Sequence, residues 1–200
     1  MCKALLYIHG KGGSSKEAEQ IKPFCDGYYV HGIDLADFTP WGTKEQIQNA
    51  FEALKKQYDS VYVAGNSIGA YFSMFALQNA HIEKALFISP ILDMEKLILD
   101  MLLWANATEK DLKKQGTIST NFGETLSWEY LTFVREHRIH WKTPTEILYA
   151  EYDNMTSRET VDRFISTHQA NLTVMPKGEH WFHTPEQIAF LGKWLTSVCR

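Results

Sequence analysis

The feature that most constrains how this chain folds is the pentapeptide Gly65-Asn66-Ser67-Ile68-Gly69. It lies between the apolar run Val61-Tyr62-Val63-Ala64 and the apolar stretch from Ala70 to Leu77. A chain that passes from strand to helix through a single serine strains that residue and leaves no room for large side chains beside it. Gly65, Gly69 and Ala70 supply the small neighbours. Gly-x-Ser-x-Gly between a strand and a helix is the sequence form of a nucleophile elbow, which holds the serine hydroxyl clear of the backbone and aims the next N–H at the reacting group. The pentapeptide therefore predicts a strand–turn–helix unit and acyl-transfer chemistry at Ser67.

The rest of the chain supplies the setting such a unit needs. Short apolar, β-rich runs at residues 4–8, 28–33, 60–64, 84–88, 146–149 and 172–175 alternate with helical patterns. Near-continuous apolar runs, rather than strict alternation, are how strands buried on both faces of a parallel sheet read. The helices carry start signals. Ser14 with Glu17 predicts a capping box, and Pro23 the end of that helix. Thr43 with Gln46 predicts the start of the next, with Ile47, Ala50, Phe51 and Leu54 on one face. Thr156 with Glu159 repeats the device ahead of Val161, Phe164 and Ile165. Thr184-Pro185-Glu186-Gln187 combines an N-cap, an N1 proline and an N3 glutamine ahead of Ile188, Leu191, Leu195 and Val198. Residues 69–79 are apolar nearly all round, as expected of a helix buried against a sheet. Six strands in a β-α-β-α succession predict an α/β domain with a mostly parallel sheet and right-handed crossovers.

One stretch breaks the rhythm. From Pro90 to Thr143 the chain runs much further than one crossover helix needs. Helices are expected over 93–106, 108–115 and 127–137, with an irregular or hairpin-like piece at 117–125. Residues 93–143 thus read as an insertion within a single domain of residues 1–200, either a lid over a site or extra packing.

Charge and composition exclude several classes of function. Lys plus Arg is 20 and Asp plus Glu is 24, giving a net charge of −4. With no basic stripe, nucleic acid is not an expected partner. No apolar run approaches the roughly 20 residues that span a bilayer. The apolar part of the first ten residues is also too short for a signal peptide, so the expected location is the cytoplasm. Cys2, Cys25 and Cys199 are widely spaced with no C-x-x-C, which fits reduced thiols better than a disulfide framework or a zinc site. His137 and His140 alone make too thin a ligand set, so no metal and no cofactor are expected.

A serine nucleophile needs a base within hydrogen-bond reach and a third group to orient that base. In an open parallel sheet these should sit at the carboxyl ends of strands. Asp153, in Ala150-Glu151-Tyr152-Asp153-Asn154, follows one predicted strand, and His180, in Pro176-Lys177-Gly178-Glu179-His180, follows another. The chain order Ser67, Asp153, His180 is the order in which an α/β hydrolase presents its triad. Asp153 also fits a turn or helix-capping role. Asp93 is the reserve acid, and Asp34 reads as structural. His183 precedes the Thr184-Pro185 helix start, where the helix dipole disfavours a charged imidazole, so His180 is the better base. The loop His9-Gly10-Lys11-Gly12-Gly13-Ser14-Ser15 follows the first strand and has the glycines to approach a ligand closely. The N–H groups of Lys11 and Ile68 are the expected oxyanion donors. Gly10, Trp181 and Phe182 are the expected substrate contacts. The Lys11 side chain either adds positive charge near the site or points to solvent.

These motifs together resemble the α/β-hydrolase superfamily, in its compact bacterial serine-hydrolase form. His9-Gly10-x-Gly12-Gly13 resembles its oxyanion loop, and Gly65-Asn66-Ser67-Ile68-Gly69 matches its elbow. Tyr149-Ala150-Glu151-Tyr152-Asp153 resembles its acid loop, with Ala150 where glycine is common. Gly178-Glu179-His180-Trp181-Phe182 resembles its histidine loop. The resemblance implies a three-layer fold with helices on both faces of a six-stranded sheet in the order 2-1-3-4-5-6. It also implies that His9 holds the oxyanion loop. It implies a serine hydrolase acting on a small-molecule ester or acyl substrate through a Ser-His-Asp triad and an acyl-enzyme, a carboxylesterase first of all. A small peptidase, amidase or thioesterase with the same triad, or a non-catalytic binding protein on the same fold, stay open as alternatives.

Overall fold

All six predicted strands form in the computed structural model, which describes residues 2–199. In chain order the first elements are β1 (Lys3–Ile8), α1 (Glu17–Ile21), β2 (Tyr28–Ile33), α2 (Pro40–Lys55), β3 (Ser60–Asn66), α3 (Ile68–Leu77) and β4 (Ala85–Ile88). The middle of the chain contributes α4 (Met94–Trp104), α5 (Glu109–Gln115), β5 (Thr117–Ser119), β6 (Thr125–Ser127) and α6 (Trp128–Glu136). It closes with β7 (Thr145–Tyr152), α7 (Arg158–Thr167), β8 (Ala170–Glu179) and α8 (Pro185–Val198).

Two compact units divide the chain: residues up to Leu92 together with those from His140 on, and residues Asp93–Ile139 between them. The first contains a six-stranded sheet in the order β2-β1-β3-β4-β7-β8, parallel at every pairing. Counting only these strands, that is the expected order 2-1-3-4-5-6. β1 is a central strand, and its residues alternate between two cores. Leu5 and Tyr7 join Ala18 and Ile21 of α1 and Trp194 and Leu195 of α8. Ala4, Leu6 and Ile8, all fully buried, take the other face, where α2 and α3 pack and bury Ile47, Phe51 and Phe72. Each buried Leu, Ile or Phe among them contributes about 1.5–3 kcal/mol on leaving water. The central strands are therefore a rigid base for the loops at their carboxyl ends, and a parallel sheet gathers those ends on one edge.

The helix starts differ in places from expectation. Thr39, not Thr43, caps α2: its side chain accepts the Gly42 N–H at 3.0 Å, and Pro40 opens the first turn. Thr43 is buried inside the helix and donates back to the Thr39 carbonyl at 2.9 Å. A preformed proline φ at N1 outweighs the competing Thr/Gln pattern. Ser157, not Thr156, caps α7, because the Thr156 hydroxyl is buried and donates to the Pro90 carbonyl at 2.9 Å. Only half of the predicted Ser14–Glu17 box is made, with Ser14 N–H donating to Glu17 at 3.3 Å, and the N-cap is Lys16. The α-helix stops at Ile21, and Pro23 lies in the single 3₁₀ turn, Lys22–Phe24, that follows it. The capping box at Thr184 and Gln187 is complete.

The unit Asp93–Ile139 is built on local caps. Asp93 caps α4, Thr108 and Asp111 form a capping box on α5, and Ser127 caps α6. β5 and β6 form a short antiparallel hairpin whose turn is closed by the Thr120 N–H to the Glu124 carbonyl. Arg135 on α6 donates to Glu95 of α4 at 2.6 Å and to both carboxylate oxygens of Glu109 at 2.6 and 2.9 Å.

Candidate active site

Ser67 occupies the turn that the pentapeptide predicts, at φ 53° and ψ −120°. A non-glycine residue pays a conformational cost there, and the surroundings must fix it. They do so by backbone bonds: Ser67 N–H donates to Ile88 O at 2.9 Å, and Ser67 O accepts from Ile91 N–H at 3.1 Å. The small neighbours are required by contact. A Cβ on Gly65 would lie 2.6 Å from Ala70 Cα, and one on Gly69 would collide with the carbonyl oxygens of Ile8 and His9.

His180 and Asp153 meet Ser67 in one line of hydrogen bonds. Ser67 Oγ lies 2.8 Å from His180 Nε2, and His180 Nδ1 lies 2.8 Å from Asp153 Oδ2. The carboxylate faces Nδ1, so that nitrogen carries the proton and Nε2 is left to accept the serine hydroxyl. The Asp153 side chain is fully buried and that of His180 is 17% exposed. Asp153 Oδ1 accepts the N–H groups of Met155 at 2.8 Å and Thr156 at 2.9 Å. The turn-capping role and the histidine-orienting geometry are thus two oxygens of one carboxylate rather than rival readings. Tyr149 braces the same turn by donating to Thr156 O at 3.0 Å, and burial first, then the Asp153 charge, raises its phenol pKa.

The position of His180 depends on a bulge. Ala150 pairs with Met175, and Tyr152 with Glu179, so β8 spends four residues (179 − 175) where β7 spends two (152 − 150). Lys177 in this bulge sits at φ 57°, and its N–H donates to Glu151 at 2.7 Å. The excess re-aims the strand end and brings His180 opposite Asp153.

The first loop borders the serine directly. A Cβ on Gly10 would lie 3.2 Å from Ser67 Cβ, and Gly13 N–H closes a tight turn onto Gly10 O at 3.1 Å, with Gly12 at φ 78°. Buried His9 holds this loop: its Nε2 accepts from Leu35 N–H at 3.1 Å, so its Nδ1–H donates to Gly10 O at 2.7 Å. Ile68 is the first residue of α3, where a backbone N–H has no intrahelical acceptor. Asp34 accepts from both N–H and Oγ of Ser15, bonds that lower its pKa, and Asp93 serves as a helix cap. His183 does not join the Ser67–His180–Asp153 line; its Nδ1 lies 2.7 Å from Trp181 O.

A cavity of about 630 Å³ opens over Ser67 and His180, lined also by Gly10, Lys11, Gly12, Gly13 and Trp181. Trp181 is 73% exposed. Phe182 is not in this lining: it turns inward and packs against the core that contains Trp194, a correction to its expected substrate contact. Sequence reasoning missed Glu17, Asn66, Asn154, Met155 and Glu179, which complete the lining with His183, the histidine set aside as a base. Asn66 was visible inside the pentapeptide, whereas Glu17 read only as a capping partner. Among the described residues no group of three or more His, Cys, Asp or Glu side chains could hold a metal ion. No described helix is long and apolar enough to cross a membrane.

No protein-family model matches the chain, and no curated protein matches its sequence. Solved structures do resemble it. Est1E from Butyrivibrio proteoclasticus superposes with a TM-score of 0.82 at 18% identity, over 98% of this chain and 86% of that one. Its complex with ferulic acid gives 0.76 at 17%, over 98% and 88%. Alpha/beta hydrolase domain-containing protein 10 from mouse gives 0.76 at 13%, over 98% and 88%.

Proposed function

On the α/β-hydrolase fold that these likenesses establish, we propose that the chain is a serine hydrolase that cleaves small carboxylic esters through an acyl-enzyme. The observation that carries this reading is the unbroken line from Ser67 Oγ through His180 to Asp153, with both links at 2.8 Å. Ser67 Oγ attacks the ester carbonyl while His180 Nε2 takes its proton. Negative charge then develops on the carbonyl oxygen, and the N–H groups of Lys11 and Ile68 are its proposed donors. The imidazolium, stabilised by buried Asp153, returns the proton to the departing alkoxide. Water, deprotonated by the same nitrogen, releases the acid and restores Ser67.

The open cavity and the exposed indole of Trp181 are the surfaces a bound acyl group would meet. Because Est1E has been solved with ferulic acid, feruloyl esters belong in the first substrate panel beside acetyl and butyryl esters. The test is labelling by a fluorophosphonate probe together with p-nitrophenyl ester hydrolysis. Native protein should label and turn over, and Ser67→Ala should do neither. Equal labelling of native and Ser67→Ala protein, or no turnover of any panel ester, would overturn the reading.

A further inference from the structure

A second polar line ends in the same cavity, and the chemistry above does not use it. Tyr7, in central strand β1, is 2% exposed, yet it carries a hydroxyl into the core region at the strand's carboxyl end. A buried hydroxyl needs partners, and a phenylalanine would fill the same space without them. Tyr7 Oη donates to Glu17 Oε2 at 2.5 Å. Glu17 Oε1 accepts the Ser14 N–H at 3.3 Å. Burial first, and then the Glu17 carboxylate, push the phenol pKa well above its ordinary range, so it stays a donor. The carboxylate also lies flat against the glycine loop: a Cβ on Gly13 would strike Glu17 Oε1 and come within 3.0 Å of its Cδ.

Glu17, Asn66 and Ser67 line one cavity with Gly10 to Gly13. The line Tyr7–Glu17–Ser14 therefore ties central strand β1 to the loop that faces the nucleophile. We propose that Tyr7 and Glu17 are positioning residues that hold the Gly10–Ser14 loop at the distance from Ser67 that the oxyanion requires. The proposal rests on the reading of Ser67 as a nucleophile. It has a kinetic signature. An oxyanion donor acts only on charge that develops in the transition state, so a displaced loop lowers kcat and leaves ground-state binding alone. Removing a donor outright costs about 10²- to 10³-fold in kcat, so a loosened donor should cost about 10- to 100-fold.

The experiment compares native protein with Tyr7→Phe, Glu17→Gln and the double variant. The readouts are kcat and KM on a p-nitrophenyl ester, affinity for a trifluoromethyl ketone that forms a tetrahedral adduct, and thermal melting. Tyr7→Phe keeps the buried ring, and Glu17→Gln keeps the side-chain shape at a half-buried position, so both should fold. Each single variant should lose kcat and ketone affinity in parallel by about 10- to 100-fold, at unchanged KM. The double variant should be no worse than the poorer single, because both cut one line. Unchanged kcat in both variants, or independent losses that multiply in the double variant, would overturn the proposal. So would a fall in Tm with kcat retained, which would mark the line as structural support alone. If native protein hydrolyses esters and labels at Ser67 while the variants match it, only the positioning role falls. If native protein does neither, the hydrolase reading falls and takes this one with it.

Discussion

Replacing Asp153 by asparagine should separate the two jobs of its carboxylate. Oδ1 accepts two backbone N–H groups, from Met155 and Thr156, and Oδ2 accepts His180 Nδ1–H. An asparagine keeps an oxygen toward the turn and presents an NH₂ to His180. That NH₂ cannot accept, so the imidazole changes tautomer, its proton moves to Nε2, and under the proposed mechanism Ser67 loses its base. In the general serine-hydrolase scheme this substitution costs about 10⁴-fold in kcat. Here a loss of about 10³- to 10⁴-fold is expected, equivalent to about 4–5.5 kcal/mol of activation free energy. Stability should fall far less. A charge-assisted bond becomes neutral at a cost of about 1–2 kcal/mol, and both turn N–H groups stay paired. In a chain of 200 residues each kcal/mol is worth about 2–4 °C in Tm.

Asp153→Ala removes all three acceptor bonds. It strands the N–H groups of buried Thr156 and half-buried Met155 at about 1–3 kcal/mol each, and so should melt at least twice as far below native as Asp153→Asn does. The assay pairs p-nitrophenyl ester turnover with calorimetric melts of both variants. Asp153→Asn that keeps more than a tenth of native kcat would refute the tautomer argument. Asp153→Asn that melts as low as Asp153→Ala would refute the claim that an acceptor oxygen is all the turn needs.

Four further outcomes are expected. Ser67→Gly should end turnover yet raise Tm by about 2–4 °C, because glycine relieves the cost of φ 53°; an unchanged melt would mean the turn is unstrained. Gly69→Ala should destabilise by about 1–3 kcal/mol in a denaturant titration, since its Cβ meets the Ile8 and His9 carbonyls, and native-like stability would contradict the close approach. Ellman titration of native protein should find one fast thiol, the exposed Cys2, with Cys25 and Cys199 reacting only on unfolding; three fast thiols would contradict their burial. Arg135→Met should lower Tm by only about 2–4 °C, equivalent to about 1 kcal/mol, because its ion pairs are partly exposed. It should nonetheless quicken proteolysis within 93–139, where Arg135 ties α4, α5 and α6; an unchanged cleavage pattern would show those pairs to be idle.

What was legible in the sequence is what periodicity and a parallel sheet dictate together. Apolar runs locate the strands, a parallel sheet gathers their carboxyl ends, and any polar residue just past such an end is a candidate partner for Ser67. Asp153 and His180 satisfy that rule, and chain order with the helix start at Thr184 ranks them above Asp93 and His183. The place of Phe182 does not follow from it, because adjacency to His180 says nothing about which way a side chain turns, and the chain spends it on the core around Trp194. The bulge at Pro176 to Gly178 was illegible for a related reason: pairing register is a property of two strands, and Pro176 read only as a strand end. Cys25 and Cys199 are 174 residues apart, so spacing could not reveal that their sulfurs lie 3.3 Å from each other in the core. The Ser14–Glu17 pattern is the more instructive case. Its local signal was correct in kind, since Ser14 N–H does reach Glu17, but a buried tyrosine ten residues back takes the other carboxylate oxygen. One oxygen makes Glu17's half of the box while the other pairs a buried phenol that would cost about 1–3 kcal/mol unpaired, so local and tertiary demands act on the same carboxylate. It points into the cavity beside Ser67, which is why a residue that reads as a helix cap ends as a wall of the candidate site.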